Sequence, residues 1–388
     1  VILELHLLQS FPASNLNRDD LGQPKTVTMG GHTRGRISSQ SIKRAARGLF
    51  EDFGLDRSET GVRTKRLLTA AVDVLVGDGK DAEQARGVVT AGLRGLGFGV
   101  DTSRNLTEYL LFVSAEAPGR LARYCAENWD ALHALAAADK PATAGKAESA
   151  AGKTAKAKAV KVKADKAGQE EVRKLLDARR SVDVALFGRM IADNKELNVT
   201  AASQVAHAFS THVVVNEFDF YTAVDDIKPD DESGADMIGT VDFNSACYYR
   251  YANLDVDQLT RNLGGDTELA RRGATAWLHS FIEAVPSGKQ NSMAARTMPG
   301  TLLGVTRTRG AWNLANAFYA PVTDSDVMDG STKRLLAHYG QLSSFYGARQ
   351  IRSATAASVS GNLPETKGVA VASTVDDLVA AMLAEVPE

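Results

Sequence analysis

The chain has 388 residues, 44% of them hydrophobic, enough to bury a full core in one elaborated domain or two ordinary ones. Its net charge of -2 excludes a protein that is basic all over, so any nucleic-acid surface has to be local, and the placement of Lys and Arg matters more than their sum. No run of about 18 apolar residues occurs, and the opening VILELHLLQ is short and carries Glu4 and His6, which speaks against a membrane span or a signal peptide and makes the cytoplasm the expected compartment. Cys125 and Cys247 stand far apart without metal-ligand spacing and are expected to be free thiols.

In chain order, residues 1 to 9 alternate apolar and polar side chains at roughly the period of a half-buried strand. FPASNLNRDDLGQPK is rich in turn-forming residues and is expected to be a loop, followed by a short extended piece, TVTMGG. Ser38 or Ser39 then caps a helix with Ile42, Ala45, Ala46, Leu49, Phe50 and Phe53 at helical spacing, one face core and the other basic. From 60 to 136 repeated helical spacing, for example Val72, Leu75 and Val76, predicts an inserted helical subdomain. Residues 140–166 are almost wholly Ala, Lys, Gly and Thr, too poor in large apolar groups to offset the entropy of ordering, so a mobile basic insert is expected. Residues 170 to 192 read as helix and then strand, ending in VDVALFGRM. HVVVNEFDFYTAVDD and VDFNSACYYRYANL predict two strands of a long protruding hairpin with an acidic apex. Asp266 or Thr267 caps a core helix through Val285, TLLGVTRTR is a predicted strand, and STVDDLVAAMLAEV a capped terminal helix. Strands scattered among helices without regular βα repetition predict an α+β fold.

The densest basic constellation is Arg34, Arg36, Lys43, Arg44 and Arg47, delivered by a Gly-containing loop into a helix start. Helix-start amides accept anions, Ser38, Ser39 and Gln40 can bond phosphate oxygens, and Lys43 and Arg47 lie one turn apart on one face. Arg18 and Lys25 on the preceding loop extend the track. The same pattern suits a capped amphipathic helix with a solvated charged face, and the residues alone leave both readings open. Phe218, Phe220, Tyr221 and Thr222, with Met190 on an earlier segment, suit base stacking, although alternating aromatics in a strand are more often core. Lys289 lies just past a helix C-terminus, where dipole compensation and anion binding are equally served. Enzyme signatures are poor. Asp19–Asp20, Asp225–Asp226 and Asp230–Asp231 fall in turn-rich sequence, His207 and His212 lack supporting ligand spacing, and GLGFG lacks the context of a dinucleotide site. An endoribonuclease or metal-dependent nuclease using an Asp pair or His207 is the rival reading.

The strings LNRDD, GG followed by RISSQSIKRAAR, FGRM, HAFSTH, FYTAVDD, CYYRYANL, NLGG, VPSGKQ and LANAF together resemble the CasC backbone subunit of Cascade, the type I-E CRISPR complex, across residues 1 to about 320. The resemblance implies a modified RRM-like (ferredoxin-like) palm, 1–59 and 246–388, with the C-terminal helix in its second part. It implies helical fingers at 60–185 holding the Lys/Ala-rich insert 140–166, and a thumb hairpin with its return to the palm at 186–245. It implies a non-enzymatic subunit without cofactor or metal that polymerises along CRISPR guide RNA, kinks it at regular intervals and displays its bases for pairing with target DNA. Implied partners are neighbouring copies of itself, the large, small and cap subunits, and the guide-processing endoribonuclease, with a recruited helicase-nuclease acting on the assembly. By motif, Arg18 and Lys25 belong to the loop, and Ser38, Gln40, Lys43 and Arg47 to the phosphate-holding helix start. The resemblance further implies that Met190, Phe220, Tyr221 and Thr222 match the residues that wedge at the kink, and that Lys289 matches the VPSGKQ turn.

Overall fold

The computed structural model describes residues 1–138, 170, 181–190, 198–223 and 237–386. The Lys/Ala tract, the acidic hairpin apex and the two carboxylate pairs Asp225–Asp226 and Asp230–Asp231 lie outside them. The chain divides into one unit made of Val1–Leu55 and Ala201–Glu388 and another made of Asp56–Thr200.

The first unit opens with β1 (Ile2–Ser14), β2 (Thr26–Met29), β3 (His32–Ile37) and α1 (Ser39–Arg47). β1 runs past the expected half-buried segment, and nearly all of its first eight residues are buried. The expected alternation fails because both faces are covered, and the polar members therefore need internal partners. His6 Nδ1 lies 2.9 Å from the Tyr249 hydroxyl, Tyr251 donates to Glu4 at 3.2 Å, and Gln9 donates to the Thr297 carbonyl at 2.6 Å. α1 also ends earlier than its apolar spacing suggests, at the Gly48 C-cap.

The second unit contains β4 (Gly61–Thr64), α2 (Leu67–Gly77), α3 (Ala82–Gly95), β5 (Val100–Asp101), β6 (Leu106–Thr107) and β7 (Leu111–Ser114). It continues with α4 (Ala117–Glu127), α5 (Trp129–Ala138) and α6 (Val182–Phe187). Its core joins Leu68, Val72 and Leu75 of α2 to Val88 and Leu93 of α3 and Leu121 and Cys125 of α4. Val76 falls off the buried stripe and is exposed. VDVALF, expected as strand, is the helix α6. Its Asp183 is wholly buried and accepts the Gly61 N–H at 2.7 Å, a tertiary bond that outweighs the β-branched propensity of the two valines.

The chain returns to the first unit with β8 (Ser203–Val205), β9 (Ala208–Ser210), β10 (Glu217–Ala223) and β11 (Met237–Asp255). α7 (Val256–Asn262), α8 (Thr267–Glu283), α9 (Gln290–Met293), β12 (Thr301–Arg307), α10 (Val327–Tyr346), β13 (Ile351–Ser358), β14 (Ala370–Val371) and α11 (Val375–Leu383) complete it. The sheet order is β14-β13-β12-β1-β11-β9-β3-β2, with β8 and β10 also pairing β11. All pairs are antiparallel except β13 with β14. On one face Leu8, Tyr249, Tyr251 and Leu303 pack with Leu335, Leu336 and Tyr339 of α10. On the other, Arg250 stacks over Phe281 of α8 and donates to its carbonyl. The architecture is α+β, and among the described residues no helix is long and apolar enough to cross a membrane.

Candidate nucleic-acid interface

Residues 15–25 form a loop whose shape is set by its own Asx chemistry. Asp19 Oδ1 accepts the Leu21 and Gln23 N–H groups, both at 2.9 Å, so this carboxylate of the Asp19–Asp20 pair is occupied by turn formation. Asn15 Nδ2 donates to the Gly22 carbonyl at 3.0 Å and to the Asp242 carbonyl of β11 at 2.8 Å. Asn17 Oδ1 accepts the Ser38 N–H at 2.8 Å, and the Arg36 N–H donates to the Lys25 carbonyl at 2.8 Å. The loop that carries Arg18 and Lys25 is thus tied both to the root of the β10–β11 ribbon and to the start of α1.

At that start Ser38 is the N-cap, its hydroxyl accepting the Ser41 N–H at 3.3 Å. The Ser39 N–H donates to His207 Nδ1 at 2.9 Å. The Gln40 N–H has no partner among the described residues, and no acidic side chain occupies the first turn. The positive end of the helix therefore lacks the carboxylate that usually compensates it. Lys43 follows one turn on. Burial, then Arg36, Lys25 and Lys43, hold the His207 ring below the ordinary imidazole pKa, so these three cations gather around one point.

Lys289 sits in the left-handed region at φ 52°, N-terminal to the short α9. The neighbouring Gly288 lies directly on the backbone of Asn15 and Leu16, where a Cβ would collide with the Leu16 carbonyl. This close approach seats the VPSGKQ turn on the 15–25 loop.

Arg34 corrects the expected track. Its side chain is 0% exposed and donates to the carbonyls of Ser210 at 2.9 Å, Phe318 at 3.0 Å and Tyr319 at 3.3 Å. A buried guanidinium whose two terminal nitrogens are held by carbonyls ties β3 to a distant segment and has no face for a phosphate. Arg18, Gln40 and Arg44 are exposed, and Lys25, Arg36, Lys43, Arg47 and Lys289 are half-buried.

The ribbon differs from the usual strand. Every residue of β10 is exposed, including Phe218 at 73% and Phe220 at 59%. Residues expected more often in a core lie outside, with no layer covering them among the described residues. Phe218, Phe220 and Thr222 share one face by strand alternation, while Tyr221 takes the other, opposite Gly239. The Tyr221 ring lies across Gly239, filling the space a Cβ would need. Met190 belongs to the second unit and is 86% exposed. His212 is engaged in the first unit, its Nε2 accepting the Cys247 N–H at 3.2 Å. Among the described residues no three His, Cys, Asp or Glu side chains are grouped to hold a metal ion.

A family model described as CT1975-like protein matches residues 3–381. The chain belongs to that Cas family. This CT1975-like chain is similar to a chain of a "CRISPR RNA-guided surveillance complex, pre-nicking", with 31% identity, a TM-score of 0.83 and 100% of each chain covered. It is also similar to a chain of a "CRISPR RNA-guided surveillance complex", with 26% identity, a TM-score of 0.74 and 99% of each covered. No curated protein matches it. Asn15, Asn17 and Gly288, which position the CT1975-like loop and turn, were not among the expected site residues. The only signal for them lay in the strings LNRDD and VPSGKQ.

Proposed function

We propose that this chain is a non-enzymatic, RNA-binding backbone subunit of a type I-E CRISPR surveillance complex, similar to CasC, that polymerises along guide RNA. The observation that carries the reading is the convergence of Lys25, Arg36, Lys43 and Lys289 on one loop, the helix start bonded to it and the turn packed on it. An open Gln40 amide stands at that helix start. Such an array suits the phosphate track of a single strand, while exposed ribbon aromatics suit its bases. Membership in the CT1975-like family supports it.

In this reading the sheet is a modified RRM-like palm, residues 60–185 supply the helical fingers, and residues 186–245, which include β10, form the thumb and its return to the palm. The wedge role of Phe220, Tyr221, Thr222 and Met190 kinks the guide at intervals, and the intervening bases pair with target DNA. Sequence is then read by base pairing while the protein reads backbone and shape. Neighbouring copies and the other complex subunits are the partners, and target cutting falls to a recruited helicase-nuclease.

The test is RNA binding by the full chain across a salt series. Lys43→Ala with Arg47→Ala is expected to weaken binding and flatten the log–log salt slope by about 1.4, since each phosphate contact on a single strand contributes about 0.7. An unchanged slope sinks the assignment, as does labelled RNA that is cut on incubation with divalent metal.

A further inference from the structure

His207 precedes β9 by one residue, where the pairing of Ile37 with Ala208 and of Arg36 with Phe209 brings it beside the start of α1. The Ser39 N–H reaches its Nδ1 at 2.9 Å. A backbone amide only donates, so Nδ1 presents its lone pair there and the neutral ring carries its proton on Nε2. The ring is exposed, and Nε2 has no protein partner among the described residues. Protonating the ring would break the Ser39 bond and add a fourth positive charge beside Arg36, Lys25 and Lys43. With one nitrogen engaged and the other protonated, the imidazole holds no lone pair for proton abstraction. What it offers is a fixed neutral donor among cations.

We infer that His207 is a further RNA-contacting residue, donating from Nε2 to a phosphodiester oxygen that Lys25, Arg36 and Lys43 attract. The inference rests on the RNA-binding reading and refines it, because a neutral donor differs from a cation in one measurable way. Replacing it removes a hydrogen bond without changing how many counterions the RNA releases. Affinity falls while the salt slope stays.

The experiment is fluorescence anisotropy of a labelled single-stranded RNA with the full chain in a potassium chloride series. His207→Phe, which keeps a ring and loses both nitrogens, is expected to weaken binding about tenfold, the scale of a hydrogen bond to a charged group. Its slope should equal that of the unaltered chain. His207→Gln, which can accept from Ser39 and still donate, is expected to stay within about threefold. A second measurement follows the imidazole nitrogens by long-range proton–nitrogen correlation. RNA should shift the protonated His207 Nε2 resonance, a readout that needs no variant to fold. Normal affinity of His207→Phe beside weakened Lys43→Ala, or an Nε2 resonance unmoved by bound RNA, overturns the inference and leaves the RNA-binding reading standing. An unaltered chain that ignores RNA overturns both.

Discussion

The loop–helix site and the β10–β11 ribbon both offer groups to a nucleic acid, but they are built in opposite ways. Around α1 every positioning element has a second support. Asn17 holds the Ser38 amide, His207 the Ser39 amide, Asn15 the Asp242 carbonyl, and Gly288 presses the Lys289 turn onto the loop. The ribbon beyond its root at Asp242 is held by its ladder, and all seven residues of β10 are exposed. Phosphates recur along a chain whatever its sequence, so a rigid, pre-paid array of donors suits them. Bases present flat π-faces, and an exposed aromatic pair can grip them without a supporting shell. The comparison predicts that changes in the first region couple stability to binding, while changes in the second affect binding alone.

Arg34→Ala should have the largest effect. It leaves the Ser210, Phe318 and Tyr319 carbonyls short of a donor in a buried setting, a loss of about 3 kcal/mol in chemical denaturation. Its salt slope for RNA should equal that of the unaltered chain, which separates this buried arginine from Lys43.

Next in size are Phe220→Ala and Tyr221→Ala, each expected to weaken RNA binding by about 2 kcal/mol, the value of one base–aromatic stack. Stability should move by less than about 0.5 kcal/mol, as for other surface substitutions. A large drop in the denaturation midpoint would mean the ribbon supports the sheet, and the contrast would fail. Because the two rings lie on opposite faces, the double variant should show additive losses.

The sheet beneath the supported site carries its own pH signature. Burial raises the Glu4 carboxyl to about 7 from 4.5 and lowers His6 to about 3 from 6.5. Folded Glu4 holds its proton where the unfolded chain has lost it, so stability falls as pH rises from 4.5 to 7. Folded His6 stays neutral where the unfolded chain protonates, so stability falls as pH drops from 6.5 to 3. The two oppose each other in the overlap. Below 4.5 His6 is the one member of this pair still titrating and contributes a slope near 1.4 kcal/mol per pH unit, checked by comparing denaturation across pH with that of a His6 variant. Glu4→Gln should abolish the loss on the alkaline side.

Asn17→Ala is the smallest change, about 1 kcal/mol in stability from one lost hydrogen bond to the Ser38 amide. It should also weaken RNA binding modestly, by loosening the loop that carries Lys25. Binding unchanged to within error would show that the loop needs no such support.

Much of this was legible in the residues. Of the alternatives the local pattern offered, Ser38 rather than Ser39 and Asp266 rather than Thr267 are the caps, and β12 and the terminal helix lie where the pattern put them. The exposure of Phe218 was not, since alternating aromatics read as core whether or not a layer packs on them. Nor was α6, where apolar β-branched residues read as strand until the buried bond from Gly61 to Asp183 is counted.

What the sequence determined by itself is whatever a single turn or a strand's alternation decides, because capping, loop chemistry and hydrophobic period act between near neighbours. Arg34 and Arg36 mark the limit. They lie on the same face of β3, and periodicity treats them alike. Phe318, 284 residues away along the chain, places its carbonyl over Arg34, while Arg36 ends beside His207 and Lys25. Only the tertiary structure brings that segment into place, so only it separates the arginine that holds the fold together from the one that faces the candidate site.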